Sequence, residues 1–179
     1  MGIFDRLSRG KRAAKVETHC AIAAAAEPGS VLAPVDGVAT PLSEVSDPVF
    51  AQGMLGPGMA VKPSGDVIYA PVTGTVAAAV ATGHAIGITS DDGMEVLIHV
   101  GVDTVEMRGD GFTVLVEQDE RVAAGTPLIV FDREKICAAG HDDIVMTSVT
   151  NASGEVFPAA APGADVCAGK PLFRLGGKA

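Results

Sequence analysis

Two segments of this chain are each written twice. VLAPVDGVATPL at 31–42 returns as IYAPVTGTVAAA at 68–79, aligning Ala33-Pro34-Val35 with Ala70-Pro71-Val72 and Gly37 with Gly74. RVAAGTPLIVF at 121–131 returns as DVCAGKPLFRL at 165–175, with Gly125 on Gly169 and Pro127-Leu128 on Pro171-Leu172. The offsets differ, 37 residues for the first echo and 44 for the second. Each echo reads as strand–turn–strand, with Gly or Pro where a tight turn needs them. Such repeats favour an all-β fold over βαβ units: an antiparallel β-sandwich or flattened barrel of duplicated halves, with little helix. The 22 glycines and 11 prolines suit its many turns. DREKICAAGH at 132–141 is the best candidate for a short helix. The compact domain is expected over 30–176.

The region before it has a different character. Residues 1–15 carry Arg6, Arg9, Lys11, Arg12 and Lys15 against Asp5, a net of +4, which leaves −13 for the rest of a chain whose total is −9. A body that acidic excludes nucleic-acid binding and suits docking of a basic protein. In MGIFDRLSRGKR, Ile3, Phe4 and Leu7 share one helical face amid basic residues, a pattern fitted to an anionic membrane surface. Residues 16–29 lack strand alternation and read as a flexible linker, in which His19 and Cys20 have no third ligand nearby. CAIAAAA at 20–26 is too short and weakly apolar for a secretory signal core. No run of about 18 apolar residues exists to span a membrane. Cys20, Cys137 and Cys167 lie scattered, the usage of reduced cytoplasmic thiols.

Two of the four histidines bracket one predicted hairpin, HAIGITSDDGMEVLIH at 84–99. AIGI and EVLIHV read as strands and SDDG as the turn. With Ser90–Gly93 as a four-residue loop, His84 lies opposite His99. With Asp92-Gly93 as a two-residue turn, His99 opposes Ile86 and His84 is its diagonal neighbour on the same face. A three-residue loop puts the two rings on opposite faces, because strand parity is two. Alternation places Leu97 with His99, and Val96, Ile98 and Val100 on the other side.

Paired neutral imidazoles can act as nucleophile, base or metal ligand. Zinc needs three or four protein ligands, and no Cys, His or HExxH pattern supplies the rest. No nucleophile elbow and no P-loop is present. Phosphoryl transfer suits the pair: one histidine attacks phosphorus in line while the other hydrogen-bonds the equatorial oxygens.

VLIHVGVDTVEMRGDGF (96–112), SDPVFA (46–51), GMAVKPSGDVIYAPVTGTV (58–76) and TGHAIGI (82–88) together resemble the glucose-class enzyme IIA, the phosphocarrier domain of the bacterial sugar phosphotransferase system. The likeness runs from about Ser30 to Leu175, and MGIFDRL resembles the membrane-associating start of stand-alone members. It implies the duplicated hybrid motif, a β-sandwich consistent with the echoes. It implies that His99 accepts phosphate on Nε2, that His84 steadies the phosphoryl group, that Thr82 orients His84, and that the Gly101 carbonyl orients His99. Asp47 and Asp103 would meet a basic residue of the histidine-containing phosphocarrier protein. Val49, Phe50, Met54, Leu55, Val80, Leu97 and Val105 would form an apolar collar that excludes water. Leu97 and Val80 stand where aromatics are expected in the best-known members.

The resemblance further implies onward transfer to a cysteine of enzyme IIB, with the IIB and IIC parts on separate chains. Location would be cytoplasmic, peripheral at the inner membrane surface through residues 1–12. No resident cofactor is implied, with a zinc ion shared between His84, His99 and a partner's carboxylate left open. The competing reading on the same fold is a non-catalytic regulator that docks to transporters or kinases. Lipoyl and biotinyl carriers share such strand–turn units, but GMAVKPSG around Lys62 matches their hairpin poorly. Lysostaphin-type zinc peptidases need HxxxD and HxH sets, and here His84 is followed at the fourth place by Ile88 and His99 by Val100-Gly101. The sugar is not legible in this domain.

Overall fold

The structure is a computed structural model that describes residues 19–176. The basic segment at 1–15 therefore lies outside the described residues. From Ser30 the chain forms β1 (Ser30–Leu32), β2 (Gly37–Pro41), α1 (Pro48–Ala51), β3 (Gly58–Pro63), β4 (Val67–Tyr69), β5 (Gly74–Ala79), β6 (Ala85–Ser90) and β7 (Glu95–Val100). There follow β8 (Phe112–Val114), β9 (Arg121–Val122), β10 (Pro127–Phe131), α2 (Arg133–Ala138), β11 (Val145–Val149), β12 (Val156–Pro158), β13 (Asp165–Val166) and β14 (Pro171–Leu175). The predicted helix at 132–141 is α2, capped by Asp132, whose carboxylate accepts from Lys135 N.

The sheets read as a palindrome. One eight-stranded sheet runs β13-β2-β3-β11-β7-β6-β5-β9, and two three-stranded sheets run β1-β14-β12 and β4-β10-β8. Exchanging β1 with β4, β2 with β5, β3 with β6, β11 with β7, β12 with β8, β13 with β9 and β14 with β10 reproduces the same order. The second half is thus continuous, β4 to β10, and sits inside the first. This nesting explains the unequal offsets: the inserted half is displaced forward from β1–β3 and backward from β11–β14. The hydrogen bonds repeat with it. Leu32 N donates to Pro71 O (3.1 Å) and Tyr69 N to Pro34 O (2.7 Å), while Gly169 N donates to Ala33 O and Gly125 N to Ala70 O, both at 2.9 Å.

Alternation along each strand divides the large sheet into two faces. Its inner face packs Val61, Val76, Ile86, Ile88, Val96, Ile98 and Val100 into the main core with Ile68, Leu128, Leu172 and Phe173. Its outer face is covered on one half only, where Leu42, Val45 and Phe50 from residues 42–57 lie with Ala60, Ile144 and Met146. The described part of the 16–29 segment contacts the body at the two duplicated glycine turns. Ile22 N donates to Gly125 O (3.0 Å). A Cβ at Gly125 would meet Ile22 O at 2.3 Å, and one at Gly169 would meet Ala24 Cβ at 3.1 Å.

Candidate functional site

Strand β7 delivers His99 to the outer face, at the margin of the covered half. Its neighbours in the ladder are Met146 on β11 and Ala85 on β6. Phe50 meets the imidazole edge-on, ring centres 5.5 Å apart and planes at 62°. Phe50 is only 2% exposed. Its place in the expected collar is corrected: it walls the His99 ring from behind and offers a partner almost no surface.

The pairing of the two histidines arises by a route that hairpin parity does not give. Ala85 pairs with His99 and Thr89 with Glu95, an odd-loop register, the one that parity assigns to rings on opposite faces. The rings nevertheless lie 4.9 Å apart at 73°. The reason is that His84 precedes the regular strand. Gly83 N donates to Val80 O (2.8 Å), and Gly83 turns the chain at φ +70°. Only the carbonyl of His84 joins the ladder, accepting from Val100 N at 2.7 Å. Its ring, released from strand alternation, swings beside His99. A Cβ at Gly83 would lie 2.8 Å from Phe112 Cβ, so this turn has room for glycine alone.

Each ring is held through Nδ1. The Gly101 carbonyl lies 2.9 Å from His99 Nδ1. A carbonyl only accepts, so Nδ1 keeps its proton and Nε2 carries the lone pair. Gly101 reaches this position at φ +76°, and a Cβ there would lie 2.3 Å from Thr104 Cγ2. The buried Thr104 hydroxyl ties the same loop down by donating to Val100 O at 2.5 Å. Thr82 Oγ1 lies 2.6 Å from His84 Nδ1 and can donate to it, which leaves the His84 proton on Nε2.

Burial pushes the His99 pKa down, with the neighbouring His84 acting in the same direction. The Gly101 bond and the carboxylates of Asp47 and Asp103 oppose this without reversing it. Burial likewise lowers His84. Both rings are therefore held toward the neutral form. Asp47 caps α1 by accepting from Val49 N (2.8 Å), whereas Asp103 stands exposed at φ +57°. Of the expected collar, Val49, Met54, Val80 and Val105 are exposed, and Leu55 and Leu97 are half-buried against the outer cluster. The sequence alone does not single out Thr104, Met146 or Gly83. Thr104 and Gly83 lie within the VGVDT and TGH motifs, while Met146 carries no local signal.

A surface cleft of about 730 Å³ beside α2 includes none of these residues. Its cations are already paired, Arg133 with Asp143 (2.6 Å) and Lys135 with Asp110 (2.5 Å). Among the described residues no group of three or more His, Cys, Asp or Glu side chains is placed to hold a metal ion. No helix among them is long and apolar enough to cross a membrane.

A duplicated antiparallel β-sandwich that presents two adjacent, Nδ1-bonded histidines held toward the neutral form is the class that the fold and site define. The comparisons then name the family. The model described as phosphoenolpyruvate-dependent sugar phosphotransferase system, EIIA 1, matches residues 29–155. The chain belongs to that family and is a phosphotransferase component of the system. It is 46% identical over 135 residues to a mannose-specific EIIBCA component of Corynebacterium glutamicum, covering 74% of this chain and 20% of that protein. It is 48% identical over 118 residues to a β-glucoside-specific EIIBCA component of Bacillus subtilis, covering 66% and 19%. The solved glucose permease IIA of Mycoplasma capricolum matches with a TM-score of 0.73 at 36% identity, over 80% of this chain and 93% of that one. The chain thus spans about a fifth of the length of the curated relatives it matches.

Proposed function

We propose that this domain takes a phosphoryl group onto His99 Nε2 from a phosphohistidine of the phosphocarrier protein and passes it to a cysteine of an enzyme IIB. The observation that carries this reading is the Gly101 carbonyl at 2.9 Å from His99 Nδ1, which leaves Nε2 as the only nucleophilic nitrogen. In the accepting step the donor's P–N bond breaks as the new Nε2–P bond forms, and the donor imidazole leaves with the electron pair. His84 Nε2–H hydrogen-bonds the equatorial oxygens, where charge is spread in the transition state. Because Nδ1 stays protonated, phospho-His99 is an imidazolium, a good leaving group for the next transfer. Phe50 and the collar limit access of water to the P–N bond.

Incubation with phosphoenolpyruvate, enzyme I and the phosphocarrier should add the mass of one phosphoryl group, and His99→Ala should abolish the gain. Labelling of that variant to wild-type stoichiometry refutes the assignment. The histidine pair alone does not fit a zinc ion, which takes four ligands; a partner would have to supply the remainder, and chelators should leave phosphoryl transfer unchanged. We place the domain in the cytoplasm, with residues 1–12 binding an anionic membrane surface. Their deletion should weaken binding to anionic vesicles and spare transfer in solution.

A further inference from the structure

We infer that Thr104 is a positioning residue for the transfer: its buried hydroxyl holds the loop after β7 so that the Gly101 carbonyl faces the His99 ring. The inference deepens the phosphocarrier reading above and rests on it. The duplication supplies an internal control, a second version of the same strand end that carries no reacting group. Ala85 on β6 pairs with His99, and Gly58 on the matching strand β3 pairs with Ser148. Ser148 on β11 is thus the counterpart of His99 on β7. The backbone bonds that follow agree. Val149 N donates to Pro57 O (2.9 Å) as Val100 N does to His84 O (2.7 Å). Thr150 N donates to Glu95 O (2.8 Å) as Gly101 N does to Ile144 O (2.9 Å).

Beyond that point the two halves differ. Gly101 stands at φ +76°, a left-handed conformation that Thr150 does not share. After β11 the Val149 carbonyl accepts from a backbone group, Ala152 N, at 3.2 Å. There the buried Ser148 hydroxyl has no hydrogen-bond partner among the described residues. After β7 the Val100 carbonyl accepts instead from the Thr104 hydroxyl, four residues on, and the side chain at 99 gains the Gly101 carbonyl. The counterpart of Thr104 is Ser153, which is exposed. A loop closed by a side chain therefore turns its carbonyl toward the strand-end residue, and a loop closed by backbone leaves that residue without an acceptor. Thr104 is fully buried and uses both branches. Its hydroxyl fixes the Val100 carbonyl, on the same peptide as the Gly101 N–H. Its methyl fills the space beside the Gly101 α-carbon. Val102 N, donating to Asp142 O at 2.9 Å, pins the next peptide, the one that carries the Gly101 carbonyl. Without the hydroxyl, the backbone closure seen after β11 competes, and His99 Nδ1–H loses its acceptor.

The test is Thr104→Val in the full chain, which keeps the methyl and removes the donor. The ¹⁵N shifts of His99 should report a smaller share of the Nδ1–H tautomer. The kcat for taking phosphate from the carrier should fall about tenfold, the effect of one buried hydrogen bond, with KM within about twofold. Thr104→Ser keeps the hydroxyl and should bring both readouts back to within about threefold of wild type. A merely structural role would lower the unfolding midpoint and leave the His99 tautomer where it is. If the valine variant does not fold, Thr104→Cys, whose thiol is a weak donor, takes its place and should show a partial loss of both. A folded valine or cysteine variant with the wild-type tautomer and rate, or Thr104→Ser as slow as valine, overturns the inference and leaves the phosphocarrier reading intact. The tautomer is read with no phosphoryl donor present. It therefore decides the role of Thr104 even if the carrier fails to phosphorylate the wild-type protein, a result that overturns the phosphocarrier reading alone.

Discussion

Replacing Thr82 by valine removes one hydrogen bond and keeps the branched shape of the side chain. Thr82 Oγ1 lies 2.6 Å from His84 Nδ1, and in the mechanism above it donates to that nitrogen, keeping the His84 proton on Nε2. Without the hydroxyl the other tautomer competes, and Nε2 then turns a lone pair toward the phosphoryl oxygens. A net hydrogen bond contributes about 0.5–1.5 kcal/mol, which corresponds to a loss of about twofold to thirteenfold in the competent tautomer and hence in rate. Thr82 is only half-buried, so the middle of that range, about fivefold, is expected. Isolated phosphoprotein mixed with its acceptor under single-turnover conditions reads the rate, and the ¹⁵N shifts of His84 read the tautomer. Thr82→Ser keeps the hydroxyl and should recover most of the rate. Folded Thr82→Val transferring at the wild-type rate, or Thr82→Ser as slow as valine, refutes the orienting role.

His84→Gln should still accept phosphate on His99 but donate it poorly, and unimpaired onward transfer removes the second histidine from the mechanism. Gly101→Ala meets Thr104 Cγ2 at 2.3 Å and strains a φ of +76°; urea unfolding should show a loss of about 2–5 kcal/mol, and an unchanged midpoint contradicts the loop geometry. Stability should also depend on pH through the two histidines. Their pKa values are lowered in the folded state from an ordinary value near 6.5, so between the folded and unfolded values the unfolded chain binds more protons. Their contribution is fully present above about pH 6.5 and is lost as pH falls through the folded values; denaturant titrations from neutral to acid pH should lose that slope in His84→Gln/His99→Gln.

The sequence shows this fold because its halves still share turn residues. Ala33-Pro34-Val35 and Ala70-Pro71-Val72 occupy equivalent, reciprocally bonded positions, and the glycines at 125 and 169 close equivalent turns. The nesting of one half inside the other is implicit in the unequal offsets, but long-range pairing is what exposes it, since β11 to β14 must return across the inserted half. The contacts of residues 19–29 with the body had no local signal. Ile22 and Ala24 face glycine turns more than a hundred residues away, and an alternation of half-buried and exposed alanines is invisible in a run of one residue type.

The histidine pair is the instructive case, because the residues were legible and the geometry joining them was not. Parity arguments hold only where both residues belong to the ladder. His99 does, and its partners Ala85 and Met146 follow from register. His84 lies one residue outside, after a left-handed glycine, where the backbone no longer dictates which face a side chain takes. A site built wholly on paired strands would fix the ring separation by the pleat. Placing one ring on the strand and the other on the turn lets the separation be set by Nδ1 bonds to Gly101 and Thr82. It follows that lengthening the 80–84 turn by one residue should separate the rings and impair onward transfer while the β6–β7 register stays unchanged. An insertion that shifted that register instead, seen as altered cross-strand contacts between Ala85 and His99, would show that the turn and the ladder are not independent.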